Sequence, residues 1–213
     1  MSTEAPETRR RRKEERPDEI LAAALTVFTR DGFAAARLDE IAERAGCTKG
    51  TIYVYFASKE ELFKAVVHKL ITPQFRAVDE VLKDQNLDVP TRIRRFVKGA
   101  YKHVAENPEA VSLLRLMIAD GPKFSELVEF YLEEIPRRGL ALLRETLKEG
   151  IARGELRTID LDYAPFAVMG PINAENIRRL MMGHRDLDMD RMVDAHLDML
   201  FNGLLAKPSR GTK

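Results

Sequence analysis

From Pro17 onward, apolar residues recur along the chain at the 3.6-residue spacing of amphipathic helices, and glycines and prolines interrupt the pattern. The first predicted helix begins at Pro17, because a proline in the first helical turn leaves no hydrogen bond unmade. Gly32 predicts its end, since glycine adopts the left-handed backbone of a helix stop, and Phe33 is placed to fold back onto Phe28. Repeated along the chain, this pattern predicts an all-α protein.

Two short helices follow, over residues 38–45 and 49–56, separated by a tight turn at Gly46. Thr48 is a suitable N-cap for the second of them. The run from Thr51 to Phe56 is rich in β-branched and aromatic residues, and composition alone favours a strand there. We predict a helix because the segment is short, capped and without a strand partner in the sequence.

Ser58 and Glu61 form a capping box that opens a fourth helix over residues 62–83, with Pro73 inside it. The later breaks predict helices over residues 90–106, 107–120, 124–153 with an interruption near Pro136, 163–182 and 190–205.

Composition excludes several classes of protein. The chain has 213 residues, of which 45% are hydrophobic, and this is enough apolar material for a real core. One cysteine excludes a disulfide framework and a cysteine-rich zinc module. No apolar run approaches the ~20 residues that cross a bilayer, and no signal peptide is recognisable. We therefore expect a cytoplasmic protein that does not associate with membranes.

The net charge of +1 gives no hint of a nucleic-acid partner, but the charge is unevenly placed. Residues 9–16 contain six cations and two anions. Residues 1–16 are predicted to form a basic flexible arm, and residues 207–213 a disordered tail. The arm either follows a phosphate backbone or only keeps the chain soluble.

Residues 17–60 are predicted to form a helix-turn-helix DNA-binding domain, whose second short helix enters a major groove. Ile52 and Phe56 would face the core, and Gly50 would let the backbone approach the duplex. Acidic residues such as Asp39 are expected to face away from the DNA. The alternative is a helix pair that serves only as core. Thr48, Lys49 and Tyr53 are expected to read bases, and Thr51, Tyr55 and Lys59 to bind phosphate. The full set of candidate DNA contacts is Arg37, Thr48, Lys49, Gly50, Thr51, Tyr53, Tyr55 and Lys59.

The same region resembles the TetR family of transcriptional regulators through the segments ILAAALTVFTRDGF, LDEIAERAG and TKGTIYVYFASKEELF, in that order. The resemblance implies an N-terminal DNA-binding domain, a helical C-terminal domain and a homodimer that usually represses until a small molecule binds. The segment SELVEFYLEEIPRRGLALL, followed by GIARGELR, is similar to the AefR-like C-terminal domains.

Two departures from the family pattern affect this region. Ala36 and Arg37 stand where the family usually has the N-cap hydroxyl of the first motif helix, and a missing cap costs about 1 kcal/mol. Cys47 replaces the usual valine; we expect a packing role, with a redox switch as the alternative.

Residues 61–206 are predicted to bind a ligand and to form a dimer. The candidate pocket residues, for which ordinary core is the alternative, are Phe96, Tyr101, His103, Leu113, Met117, Phe124, Tyr131, Phe166, Met169 and Asn173. The last two helices are predicted to pack against those of a second copy as a four-helix contact about a twofold axis; the alternative is that their apolar residues form intramolecular core. The candidate interface residues are Phe166, Gly170, Ile177, Leu180, Met181, Met192, His196, Met199, Leu200 and Gly203.

No catalytic or metal-binding pattern is recognisable. The four histidines do not share the i, i+4 spacing of a helical metal site, and no nucleophile elbow or phosphate-binding glycine loop occurs. We therefore expect no enzyme and no cofactor. The sequence predicts a ligand-responsive repressor that binds a palindromic operator as a homodimer and is released by a small molecule. The alternative is a helical protein-interaction module with a vestigial DNA-binding domain.

Overall fold

The structure, a computed structural model, describes residues 6–183 and 187–204, and every element in these ranges is helical. The predicted disordered tail lies outside them. The elements are α1 Pro6–Ala35, α2 Leu38–Arg44, α3 Lys49–Tyr55, α4 Lys59–Leu82, α5 Val89–Glu106, α6 Pro108–Asp120, a 3-10 turn Gly121–Lys123, α7 Ser125–Leu132, a π-helical turn Glu133–Arg137, α8 Arg138–Ala152, α9 Ala164–Met182 and α10 Met189–Leu204.

Local signals placed the breaks between these elements correctly. Gly32 has a φ of 84° and interrupts α1, as the left-handed stop requires. The Thr48 hydroxyl accepts the Thr51 N–H and caps α3, which is helical despite its strand-like composition. Arg37, at the start of α2, makes no side-chain cap, as predicted. Pro136 lies inside the π-helical turn, where the long predicted helix is interrupted.

The start of α1 differs from the prediction. The helix begins at Pro6, so residues 6–16 extend it, and only residues 1–5 of the predicted arm lie outside the described part. Arginine, lysine and glutamate are good helix formers, and alternating charge adds i, i+3 pairs such as Arg16 with Glu19, at 2.9 Å. Hydrophobic periodicity missed this stretch because it contains no apolar residues.

The chain forms two compact units, which differ from the predicted division at residue 60. Unit 1 contains residues 1–71 and 112–131, and unit 2 contains residues 72–111 and 132–213. Most of α6 and all but the last residue of α7 therefore group with the helix-turn-helix instead of with the regulatory region. Their partners explain this: the Phe124 ring lies 4.9 Å from the Phe33 ring, and the Phe130 ring lies 5.2 Å from His68.

An aromatic cluster forms the centre of unit 1. Phe28, Phe33 and Phe63 are buried, and their ring centroids lie 5.5–5.6 Å apart. The contact of Phe33 with Phe28 confirms the predicted closing contact after Gly32. Edge-to-face aromatic pairs contribute about 1 kcal/mol each beyond the burial of their area. The cluster thus ties α1 to the beginning of α4.

The core of unit 2 brings together α5, α8, α9 and α10. α5 contributes its apolar face, and its N-terminus is capped by Asp88, whose carboxylate accepts the Thr91 N–H at 2.6 Å. Arg92 is fully buried, donates to the carbonyl oxygen of Leu82 at 2.8 Å and pairs with Glu149 at 2.7 Å. Arg92, on α5, thus contacts both the end of α4 and α8.

Candidate nucleic-acid interface

α3 turns one side chain into the core of unit 1 and leaves a broad face open to solvent. Ile52 has no exposed surface, whereas Lys49 and Gly50 are exposed and Tyr53 and Val54 keep 49% and 76% of their surface. Helical geometry puts these four exposed residues on one side. Among the described residues, the contacts of this face are limited to an exposed ion pair of Lys49, so the face is available to a partner.

The orientation of α3 corrects the sequence-based one in part. Thr51 and Tyr55, both predicted to bind phosphate, are half-buried. Val54 was not among the predicted DNA contacts, since a β-branched apolar residue so close to Ile52 is usually assigned to the core. Its position two residues after the buried Ile52 was the available signal, because a helix turns by about 200° over that distance. An exposed valine offers a methyl surface of the kind that contacts thymine in a major groove.

Acidic residues accompany the cations of this surface more closely than predicted. The Lys49 ammonium lies 3.1 Å from Asp39 Oδ2, which joins α2 to α3. Asp39 therefore does not face away from the candidate contact residues. Glu40 pairs with Arg30 at 2.5 Å. Both pairs are solvent-exposed and contribute little to stability, so Lys49 can exchange Asp39 for a phosphate or a base at small cost. Arg37 is exposed as well.

Lys59 occupies a structural position instead of the predicted phosphate position. Its ammonium donates to the carbonyl oxygens of Phe33, Ala34 and Ala36, at 2.8, 3.2 and 3.2 Å. An ammonium has three N–H donors, so these carbonyls use all of them. A cation at the C-terminus of a helix is also favoured by the helix dipole. Lys59, the first residue of α4, thus caps the C-terminus of α1.

Arg16, the last cation of the predicted arm, supports the turn of the motif. It donates to the carbonyl oxygens of Ala45 and Gly46, at 3.0 and 3.3 Å. Cys47, in the same turn, is half-buried, and desolvation raises the pKa of its thiol. A raised pKa disfavours the reactive thiolate and supports the packing role over a redox switch. The side chains of residues 6–14 lie outside the described part.

The ten predicted pocket residues are divided between the two units. Leu113 and Met117 are buried in unit 1, where Phe124 packs on Phe33 and burial raises the pKa of Tyr131 to about 12. In unit 2, Phe96 and Tyr101 are core residues of α5, His103 and Met169 are half-buried, and Phe166 and Asn173 are exposed. Helical spacing identifies a buried face but does not distinguish core from pocket.

Two cavities of unit 2 are lined by other residues. A cavity of about 380 Å3 lies beside Arg92, Thr146 and Glu149, and one of about 350 Å3 beside Arg94, Lys98 and Asp198. None of the ten predicted pocket residues lines either cavity. Both include charged side chains among their lining residues.

The predicted interface residues of α9 form an apolar stripe on the surface of unit 2. Phe166, Gly170, Ile177 and Met181 are exposed on one side of the helix, and Leu180 is half-buried there. Asn173, predicted for the pocket, lies on this face too. On α10, Met199 and Gly203 are exposed, and Met192 and Leu200 are half-buried. Soluble monomers rarely expose a stripe of this kind, so it is a candidate protein-binding surface.

His196 is the exception among these residues, because it is only 8% exposed. Its Nδ1 lies 3.3 Å from the Tyr101 hydroxyl, and its Nε2 is buried with no hydrogen-bond partner in the described structure. Desolvation lowers the pKa of His196. His196 therefore lies in the core of the protomer instead of on the predicted interface.

Within residues 6–183 and 187–204, no group of His, Cys, Asp or Glu side chains could hold a metal ion. No helix in the same ranges is both long and apolar enough to cross a membrane.

Comparison with known families gives two matches that together span most of the chain. The model of bacterial regulatory proteins of the tetR family matches residues 20–66. The model of the AefR-like transcriptional repressor C-terminal domain matches residues 92–202, slightly more than half of the chain. Both agree with the resemblances in the sequence, and the matched families are regulators, not enzymes.

Individual relatives agree with these matches. The chain is 30% identical to the transcriptional regulator SrpR of Pseudomonas putida over 161 residues, 76% of this chain and 68% of SrpR. It is 29% identical to the transcriptional repressor SCO4008 of Streptomyces coelicolor, over 83% of this chain and 88% of that protein. Its fold is similar to that of FadR from Bacillus subtilis, solved in complex with stearoyl-CoA, with a TM-score of 0.74, 22% identity and coverage of 87% and 97%.

Proposed function

This chain belongs to the TetR family of bacterial transcriptional regulators, and we propose that it is a repressor that binds a palindromic operator as a homodimer and leaves it when a small molecule binds. The observation that carries the proposal is the solvent-exposed face of α3, with Lys49, Tyr53 and Val54 beside the fully buried Ile52. Matches to a repressor C-terminal domain and to a repressor relative support the direction of control.

The apolar stripe on α9 supports the homodimer. A second copy related by a twofold axis presents the same stripe, so each protomer covers the other's exposed Phe166, Ile177 and Met181. Two recognition helices related by that axis meet two half-sites about one helical turn, or a multiple of it, apart along the DNA. The operator is therefore a near-palindrome.

The effector is a small molecule that binds the DNA-incompetent conformation more tightly than the competent one, because only differential affinity shifts the equilibrium. FadR, which is similar in fold, was solved with stearoyl-CoA. A long-chain acyl-CoA is therefore the first compound to test, and native mass spectrometry of the purified protein would identify any other compound that copurifies.

The decisive experiment measures binding to a DNA fragment from upstream of the chain's own gene, across a series of salt concentrations. The logarithm of the affinity is expected to fall linearly with the logarithm of the salt concentration, since phosphate contacts release counterions. Failure to bind at low salt, or an affinity independent of salt, would refute the proposal and favour a protein-interaction module.

Tyr53→Ala tests the orientation of α3. We expect its specific affinity to fall about tenfold or more, because the substitution removes an exposed aromatic contact worth roughly 1–3 kcal/mol. Tyr163→Ala, at an exposed tyrosine of unit 2, is the matched control and should bind DNA as the wild type does. Equal affinity of Tyr53→Ala and wild type would show that another face of α3 meets the DNA.

A further inference from the structure

Both polar backbone groups of Phe33 are held by side chains of opposite charge. Its N–H donates to Asp120 Oδ2 at 2.7 Å, and its carbonyl oxygen accepts from the Lys59 ammonium at 2.8 Å. Phe33 itself is buried. Asp120 is the last residue of α6 and stands 87 positions away in the sequence, so this hydrogen bond is a tertiary contact. Hydrogen bonds to charged groups are about twice as strong as neutral ones.

The break in α1 makes the Phe33 N–H available to Asp120. At Gly32 the backbone has φ 84° and ψ 163°, which turns the following N–H out of the helical hydrogen-bond ladder. A buried N–H that lost this partner would cost about 1–3 kcal/mol. A Cβ atom at Gly32 would lie 2.7 Å from the same Oδ2, so only glycine permits the carboxylate to approach this closely.

Aromatic packing accompanies the hydrogen bond. The ring of Phe124, four residues after Asp120, meets the Phe33 ring edge to face at 4.9 Å between centroids. The turn between α6 and α7 is therefore attached to the end of α1 by one charged hydrogen bond and one apolar contact. Both attachments fall on the same residue, Phe33.

The segment after Phe33 leads directly into the helix-turn-helix. Ala36 is buried, and α2 begins at Leu38 without a side-chain cap at Arg37. A helix without its own cap depends on tertiary contacts for the position of its first turn. The Phe33 N–H, five residues before that turn, is held by Asp120, and the Lys59 ammonium holds the carbonyl oxygens between them.

We propose that Asp120 is a positioning residue for DNA binding. Its carboxylate fixes the junction between α1 and α2, and through it the orientation in which α2 and α3 meet double-stranded DNA, without touching the DNA itself. This inference rests on the proposed function. It assigns a role in specific recognition to a residue outside the helix-turn-helix and outside the region that matches its family model.

The test compares four variants on the DNA fragment that the wild type binds and on mixed-sequence DNA of the same length. Asp120→Ala is expected to bind the specific fragment at least tenfold more weakly and the mixed DNA within twofold of wild type. Asp120→Asn should recover most of the specific affinity, since its amide oxygen accepts the same N–H. Glu126→Ala, at an exposed position of α7, removes one negative charge in the same way and should behave as the wild type.

Asp120→Glu separates geometry from charge, because it keeps the carboxylate and moves the acceptor by one methylene. Positioning predicts that Asp120→Asn binds the specific fragment more tightly than Asp120→Glu, whereas a role of the charge alone predicts the reverse. This comparison stands even where Asp120→Ala fails to fold. All affinities are measured at a temperature at which circular dichroism shows each variant fully folded.

Two outcomes overturn the inference: a folded Asp120→Ala whose ratio of specific to mixed-sequence affinity is within threefold of wild type, or an Asp120→Glu that binds as well as Asp120→Asn. Failure of the proposed function is a different result, in which the wild type itself shows no salt-dependent DNA binding.

Discussion

α3 and α9 each expose a face that the protomer does not use, and the two faces differ in chemistry. The exposed face of α3 carries Lys49 and Tyr53 beside Val54, with Gly50 between them. The exposed face of α9 carries Phe166, Ile177 and Met181 along several turns. A surface with a cation, a hydroxyl and one apolar contact is typical of base and phosphate recognition. A long apolar stripe is typical of a protein interface.

Exposure alone does not identify the partner of a surface, whereas the composition of the exposed face does. Water solvates the polar groups on the face of α3 well, so that surface can remain open until a partner binds. The face of α9 is costly to leave in water, since each buried Å2 of apolar surface contributes about 25 cal/mol. The first surface therefore suits a reversible partner and the second a permanent one.

Met181→Glu tests whether the exposed face of α9 is a dimer interface, and it should have the largest effect of the substitutions proposed. Met181 is 77% exposed in the protomer, so a charge there should not disturb the fold. In a twofold dimer the charge is buried twice, and an unpaired buried charge costs about 3 kcal/mol or more. We expect the dimer dissociation constant, measured by analytical ultracentrifugation, to rise more than 100-fold, and specific DNA affinity to fall with it.

Ala141→Glu, at an exposed position of α8, is the matched control and should remain dimeric. A Met181→Glu protein as dimeric as the wild type would place the interface elsewhere and leave the α9 stripe unexplained.

Substitution of two lysines by methionine distinguishes a structural lysine, Lys59, from a candidate DNA contact, Lys49. Lys59→Met should lower the free energy of unfolding by about 2 kcal/mol, because three carbonyl oxygens lose a charged donor, and should leave the salt dependence of DNA binding unchanged. Lys49→Met should leave the melting temperature unchanged, because it breaks only an exposed pair with Asp39, and should reduce the slope of log affinity against log salt by about one. If Lys59→Met reduced that slope, the ammonium would contact phosphate in the complex after all.

A smaller effect is expected on the pH dependence of stability, through the buried His196 of α10. Burial lowers the pKa of His196 below its ordinary 6.5, so below that pH the unfolded chain binds more protons than the folded one. Stability should therefore fall as the pH drops from 7 to 5.5, because the unfolded chain gains a proton that the buried imidazole resists.

His196→Asn should weaken this pH dependence of the melting temperature. Some dependence should remain, because burial also lowers the pKa of His103. An unchanged pH dependence in the variant would show that His196 is not buried in its neutral form.

Helix boundaries and the helix-turn-helix could be predicted from the sequence because their signals are local. The Thr48 cap acts three residues away, Gly32 ends a helix through its own backbone, and proline removes its own N–H. The prediction of α3 as a helix was correct for this reason, against its strand-like composition. Motifs such as TKGTIYVYF added the resemblance to the TetR family, and the family matches confirmed that resemblance.

The candidate sites were predicted less completely, because periodicity identifies a face without identifying what covers it. Tyr101 and His196 lie on apolar faces and were assigned to a pocket and to an interface, yet they meet each other in the core of unit 2. Asn173 was assigned to a pocket and lies on the exposed face of α9. In each case the helix was correctly predicted and its neighbours were not.

The sequence alone was enough to predict most of the helices, α3 among them, and the family, since these depend on residues within a few positions of one another. The tertiary structure alone decided which face of α3 meets solvent, that Lys59 caps α1, and that Asp120 holds the Phe33 N–H from 87 residues away. The physical reason is that a charged side chain binds the groups that folding brings within about 3 Å. Sequence spacing does not encode which groups those are.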